Sequence, residues 1–299
     1  MKKIMSVSLG SSRRNHTVST AFCGQPFQIE RIGTDGDKGK AIDIISQWDG
    51  KVDAFGLGGT DLYIYAGGKR YTFRESAKIA AAARKTPLVD GSGLKNTLER
   101  RMVKELALLQ DFSFENKHIL VMCAVDRFGL AEALVEAGGK VIFGDLLFAM
   151  GLDIPIRTVT GLARLAKIAA PVITQLPIHW LYPVGADQLA NTPRFRSYFD
   201  RADIVAGDFH FIRRYMPPSL AGKTVITNTV TADDAAMLKQ RGVKTLVTST
   251  PAMDGRAFGT NVVEAIIVAY AGKDPTSLLP ADYEHIIREI GLSPQVLRW

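Results

Sequence analysis

The sequence predicts an α/β protein of two domains: an N-terminal α/β domain, then a Rossmann-like doubly wound parallel sheet, with a C-terminal helix returning to the first domain. Three observations predict it. Short apolar runs alternate with helical patterns along the whole chain. Five such runs in the back half are each followed by small and polar residues. Residues 117–147 form one strand–turn–helix–strand unit that closes on an acid, Asp145, about twenty residues past its turn.

The elements follow in order. Ile4–Gly10 is a strand, the polar SSRRNH a turn, and Phe27–Gly33 a second strand. TDGDKG leads into the helix KAIDIISQW, and Val52–Gly58 is a third strand. LYIYA and RYTF are arms of a hairpin around Ala66-Gly67-Gly68. ESAKIAAAARK is a helix, PLVDG a short strand, and a further helix starts at Lys95 and ends near Leu109. The polar residues 111–117 read as a link into the second domain. HILVMCAV is a continuous apolar run, as in a strand buried on both faces, and LAEALVEAGG a helix stopped by its two glycines. KVIFGD is the next strand, and the helical periodicity of residues 158–183 is broken by Pro171 and Pro177. Ala202–Asp208, Gly222–Asn228 and Lys244–Thr250 are strands, with ADDAAMLKQRG a helix between the last two. Helices over Thr260–Tyr270 and Asp282–Ile290 end the chain. The domains are therefore expected at 1–113 for substrate, 114–258 for a dinucleotide, and 259–299 as helices packing across both.

Residues 1–113 hold 18 Lys/Arg against 12 Asp/Glu, and the rest of the chain 19 against 18. An excess confined to the first part suits an anionic small molecule as well as plain solubility. Basic and aromatic residues do not interleave, so nucleic acid is not expected as a partner. Cys23 and Cys123 make neither a disulfide framework nor a metal spacing, so no metal site is expected. No apolar run reaches membrane-spanning length and the N-terminus has no signal-peptide core; a cytoplasmic protein is expected, with a homodimer as its possible assembly.

The candidate site residues stand where strands end. In Asp126-Arg127-Phe128-Gly129, Asp126 reads as a helix cap, Arg127 as a contact to a ligand phosphate and Gly129 as the one glycine able to approach it. Asp145 is placed to hold a ribose hydroxyl. In GDFHFIRRYMP, His210 is a candidate proton donor or acceptor and Arg213 a carboxylate or phosphate ligand; the alternative is a loop whose aromatic residues pack. Asn228 and Thr229 offer hydrogen bonds to a cofactor or substrate, or belong to a loop capped by Thr231. Gly255, Gly259 and Thr260 could give a backbone-rich approach to a ligand, and Asn261 a cap or a substrate contact. In the first part GSSRRNH, GLGGTDL and DGSGLKNT are rich in glycine and serine. Lys95 stands at a helix start, where the dipole disfavours a cation; it reads as a proton-transfer group with Asp61 as its partner acid, or as a solvated lysine.

These blocks carry a resemblance. VSLGSS, RIGTDGD, VDAFGLGGTDLY, VDGSGLKNTLERR, CAVDRFG, GDFHFIRRYMP and FGTNVVEA make the chain similar, over nearly its full length, to quinate/shikimate 5-dehydrogenase-like proteins of anaerobic bacteria. The resemblance implies NAD or NADP as cofactor and a small hydroxyl or carbonyl compound as substrate. It implies that Ser11 and Ser12 hold the substrate carboxylate, and that Lys95 with Asp61 or Asp90 handles the hydroxyl proton. Asn96 would orient the substrate beside them. The glycine-rich dinucleotide loop of that family is absent here. The expected function is therefore an NAD(P)-dependent oxidoreductase. Its alternatives are a non-redox transferase or lyase acting on a phosphorylated or nucleotide-linked substrate, and a ligand-binding sensor without turnover. The redox reading requires strand tips open to an adenine-bearing ligand, with Asp145 facing that opening.

Overall fold

The structure, a computed structural model, describes residues 1–66, 69–181, 190–250, 252–253, 256–257 and 259–299. It is a mixed α/β protein that divides into two compact units. The first comprises Met1–Lys95, Ala170–Gln188 and Phe258–Leu292, and the second Asn96–Ala169, Leu189–Ala257 and Ser293–Trp299.

The chain opens with strands β1 (Lys2–Ser8), β2 (His16–Phe22) and β3 (Gln25–Gly33), helix α1 (Lys38–Trp48) and strand β4 (Ala54–Gly58). A hairpin of β5 (Tyr63–Ala66) and β6 (Lys69–Thr72) follows; its turn lies outside the described residues. Helix α2 (Arg74–Ala80), strand β7 (Leu88–Val89) and helix α3 (Ser92–Ala107) come next. The first sheet has the order β2-β3-β1-β4-β7, parallel except for β2. The period of two sorts β1 between two faces. Met5 and Val7 join Phe55 and Leu57 against Ala41 and Ile45 of α1. Ser6, turned the other way, accepts a hydrogen bond from Asn261 at 3.0 Å. Strand β2 is an edge strand with Val18 as its one buried residue, and that polar make-up left its sequence without a strand signal.

In the second unit β8 (His118–Val121), α4 (Phe128–Glu136) and β9 (Lys140–Phe143) form the predicted strand–helix–strand. A π-helical turn, Asp145–Ala149, leads to α5 (Val159–Ile173), which runs through Pro171, and then to the short α6 (Ile178–Leu181) and α7 (Arg196–Arg201). Strand β10 (Ile204–Ala206), helix α8 (Phe209–Tyr215), strand β11 (Thr224–Thr227), helix α9 (Ala232–Gln240) and strand β12 (Thr245–Thr248) complete the parallel set. The pair β13 (Ala252–Met253) and β14 (Arg256–Ala257) precedes α10 (Thr260–Ala271), α11 (Pro280–Glu289) and β15 (Gln295–Arg298). The sheet order is β15-β12-β11-β10-β8-β9, with β15 antiparallel at the edge. Strand order reverses between β8 and β10, the switch point where doubly wound sheets take their ligands. Ile119 and Val121 face a core with Leu130 and Leu134 of α4 and Leu106 of α3. Leu120 and Met122 face the other, with Phe148, Phe199 and Ile212. Burial on both faces is why β8 is a continuous apolar run.

The structure differs from the sequence reading in three places. The units divide at Lys95/Asn96, within α3, instead of in the link at 111–117, because Met102, Val103 and Leu106 of that helix belong to the core of the second sheet. The terminal helices α10 and α11 belong to the first unit alone, while β15 joins the second. Residues 209–215 are helical, because the Asp208 carboxylate caps the first turn by accepting from the His210 N–H.

Gly129 marks a close approach between backbones. A Cβ there would lie 2.4 Å from the carbonyl oxygen of Asn96, an atom of the main chain of α3. Gly129→Ala is expected to cost about 1–3 kcal/mol in urea unfolding by overpacking. A loss under about 0.5 kcal/mol, the range of a neutral surface change, would show that the two helices part freely.

Candidate functional site

The buried charges of the first unit gather at the carboxyl ends of β4 and β7. After β4 the chain turns at Gly59, in the left-handed region at φ +76°, and presents Thr60 and Asp61. Lys95 stands in the first turn of α3, and its Nζ meets Asp61 Oδ1 at 3.0 Å. The two residues are only 5% and 8% exposed, so the pair is desolvated. Asp90 ends β7; its Oδ2 accepts from the Leu62 N–H at 2.6 Å and from the Ser92 hydroxyl at 2.5 Å. Glu264 comes from α10. Its Oε2 accepts the Gly91 N–H at 2.6 Å and its Oε1 the Tyr283 hydroxyl at 2.8 Å.

The glycines of this region make room for α10. A Cβ on Gly93 would lie 2.3 Å from Glu264 Oε1, and one on Gly56 2.8 Å from the Asn261 carbonyl oxygen. Gly91, at φ +100°, abuts Thr260 in the same way. The Gly-rich stretches that suggested ligand approach thus admit the first turns of a helix. Gly259 is the N-cap of that helix and accepts from the Val262 N–H, so it belongs to the first unit and not to the second sheet.

Three carboxyl groups and one ammonium share this buried region. Burial, and then Asp61, push Asp90 up to about 6. Burial, and then Asp90, push Glu264 up to about 8. Burial followed by Glu264 also raises the phenols of Tyr63 and Tyr283. Proton-holding groups therefore stand on both sides of neutral pH, which is the setting acid–base chemistry uses. Ser11 and Ser12 lie on the loop after β1. Ser11 caps the short turn Ser12–Arg14, and the Ser12 N–H donates to Asp35 at 2.8 Å. The Cys23 thiol donates to the Glu289 carbonyl oxygen at 2.9 Å.

At the tips of the second sheet the side chains serve one another. Arg127 is 3% exposed. In place of a phosphate, its guanidinium meets Glu99 of α3, and Asp208 at 3.2 Å. Asn96 Oδ1 accepts the Gly129 N–H at 2.9 Å, in the first turn of α4. Asp145 Oδ1 accepts the N–H groups of both Ala124 and Val125 at 2.9 Å, in place of a ribose hydroxyl. Burial raises Asp145 to about 6. Cys123 beside it is pushed up by burial and then by Asp145, as fits an inert core thiol. Asp208 also accepts from Asn228 Nδ2 at 2.8 Å and lies 3.1 Å from His210 Nδ1. Burial alone would raise the Asp208 carboxyl; His210 and then Arg127 outweigh it and hold it well below the usual range. Arg213 pairs through one nitrogen with Asp234 at 2.5 Å, inside the capping box that Thr231 closes on α9. Thr229 is half-buried beside Asn228, and Gly255 lies outside the described residues. Among the described residues no group of three or more His, Cys, Asp or Glu side chains is arranged to hold a metal ion, and no helix is long and apolar enough to cross a membrane.

Sequence reasoning missed Glu99, Glu264 and Tyr283. Glu264 had a signal: it is a lone acid in TNVVEAIIVAYA, a helix otherwise almost wholly apolar, where an acid is rarely buried without a partner. Its raised value fixes a pH dependence. The folded state holds the Glu264 proton more tightly than the unfolded chain, so its contribution is full below 4.5 and is lost as pH rises through about 8. Glu264→Gln is therefore expected to flatten the decline in urea-unfolding stability across that window. A wild-type decline that persists unchanged in the variant would remove Glu264 as its source.

Comparison with known proteins gives family and fold-level likenesses. A Domain of unknown function (DUF8753) matches residues 3–90, and a second, DUF8754, matches residues 93–299. The break between them falls just before the division at Lys95/Asn96. No curated protein matches. Shikimate dehydrogenase from Aquifex aeolicus is 12% identical, over 96% of this chain and 98% of that one, with a TM-score of 0.33. NAD-dependent malic enzyme from Thermotoga maritima is 12% identical over 98% and 85%, with a TM-score of 0.35. A substrate-binding protein of a sugar ABC transport system from Bordetella parapertussis is 12% identical over 93% and 82%, also with a TM-score of 0.35. Likeness at this level carries no argument about activity. The match over residues 93–299 covers well over half of the sequence, and the chain belongs to the family described as Domain of unknown function (DUF8754).

Proposed function

We propose that the chain is an enzyme that moves a proton on and off a small hydroxyl or carbonyl compound, with Lys95 and Asp61 as the acting pair. One observation carries the reading: the 3.0 Å Lys95–Asp61 contact is buried beside Asp90 and Glu264, whose carboxyls are raised toward neutral pH. Asp61 follows β4, which neighbours β1 where the parallel strand order of the first sheet reverses, the place where such sheets take ligands. As the amine, Lys95 takes a proton from the carbon beside a bound carbonyl, whose C–H electron pair passes into the enolate, and as the ammonium it returns a proton to that carbon. Asp61 aims Nζ and steadies its charge. A proton held between Asp90 and Glu264 replaces the one transferred.

Hydride transfer would add NAD(P), which the resemblance to quinate/shikimate dehydrogenase-like proteins implies. The residues at the β8–α4 turn do not fit a dinucleotide. A pyrophosphate needs backbone N–H groups at a helix start. Here the N–H groups of Ala124 and Val125 are held by Asp145, that of Gly129 by Asn96, and the guanidinium of Arg127 by Glu99 and Asp208. The reaction that fits these residues is therefore of the lyase or isomerase type, on the same substrate class.

The test is deuterium exchange from solvent into a panel of small hydroxy-ketones and keto acids, followed by NMR. Exchange is expected with the wild-type protein and is expected to fall about 10²- to 10⁴-fold in Lys95→Met and Asp61→Asn. Absence of exchange or turnover across the panel, or full retention in both variants, would sink the assignment.

A further inference from the structure

We propose that Asp145 is a built-in anion: its carboxylate holds the paired backbone N–H groups of Ala124 and Val125 that a ligand phosphate would take, so the second unit refuses phosphate-bearing ligands, dinucleotides among them. Ala124 and Val125 follow β8 on the side of the switch point, and the turn they open leads into α4, a helix long enough to favour an anion at its start. Ahead of that helix, at the opening of the turn, an anion is present, and it comes from the chain itself. Asp145 reaches across from the end of β9 and takes both donors at 2.9 Å with one oxygen.

The cost of this arrangement is visible in the carboxylate's other half. Asp145 is 6% exposed, and its Oδ2 is buried with no hydrogen-bond partner. Burying a carboxylate with one oxygen unsatisfied is unfavourable unless the other oxygen does something the fold needs. Here it satisfies two N–H groups that would otherwise be buried orphans or open to a ligand. The surroundings add to the refusal. Glu99 and Asp208 flank Arg127, with Asp126 near the same guanidinium, so that cation faces three carboxylates. A phosphate arriving here meets acceptors instead of donors. This assignment is independent of Lys95 and Asp61, which belong to the first unit.

The experiment is calorimetry of the full chain with NADH, ADP and inorganic phosphate, joined to amide NMR. The wild-type protein is expected to show no saturable binding at millimolar ligand. Asp145→Ala, which frees both N–H groups, is expected to bind ADP or phosphate at least about tenfold more tightly than wild type, as charge-assisted bonds allow, with shifts at the amides of Ala124 and Val125. Saturable binding of NADH or ADP by wild type that moves those two amides overturns the proposal, as does a folded Asp145→Ala protein with no gain. Should that variant fail to fold, the wild-type protein answers by titration. The Ala124 and Val125 amide signals are expected to follow one proton uptake near the value of about 6 to which burial raises Asp145. Amides that ignore that titration overturn it equally.

Discussion

An ammonium taken out of water must be met by a carboxylate or give up its proton, since desolvation alone costs several kcal/mol. Lys95 is in that position, and the carboxyl edge of the first sheet is arranged around it. Asp61 reaches Nζ because Gly59 turns the chain back at the end of β4. The second acid, Asp90, is tied by the Leu62 N–H and the Ser92 hydroxyl, which fixes the start of α3 and so the place of Lys95 itself. Glu264 then fastens α10 and α11 to the same turn through Gly91 and Tyr283. Each bond in this sequence supports the next, and all lie within one unit.

The same requirement governs the second unit, with a different outcome. Its strand tips also expose backbone N–H groups and polar side chains, and a buried donor without a partner costs as much as a lost hydrogen bond. In a dinucleotide site the ligand supplies the partner. Here Asp145, Asn96 and Asp208 supply it, and Glu99 completes the guanidinium of Arg127. The positive charge of the chain as a whole, +7, therefore says little about the tips, where carboxylates outnumber the one buried arginine.

Much of this was legible in the residues. The β8–α4–β9 unit declared itself because a strand buried on both faces reads as one apolar run, and a helix ending in Gly138-Gly139 has few other readings. Lys95 with Asp61 could be singled out because a cation at a helix start opposes the dipole, and such a cost needs a partner. Other features had no local signal. Strand β2 is too polar and too near an edge to show alternation, and β15 owes its state to β12, which is distant in sequence. Residues 209–215 were read for His210 and Arg213 or as a packed loop, and the cap by Asp208 that makes them helical was not seen. The use to which Asp145 is put could not be read at all. Its spacing from the turn is that of a ribose ligand, and only the coordinates tell which donors it faces.

The defect in the fingerprint and the posture of Asp145 have a common cause. Glycines are needed in a phosphate turn so that a ligand can come close to the backbone. A turn that is closed by a carboxylate of its own chain has no such need, and can spend those positions on side chains. Asp126, Arg127 and Phe128 occupy them here, and Arg127 uses its place to join α3, β8 and β10 through Glu99 and Asp208. Gly129 alone remains, and the main chain of α3 accounts for it, since a Cβ there would lie 2.4 Å from the Asn96 carbonyl oxygen. A single glycine in that turn is what a doubly wound sheet should retain once its anion has become internal.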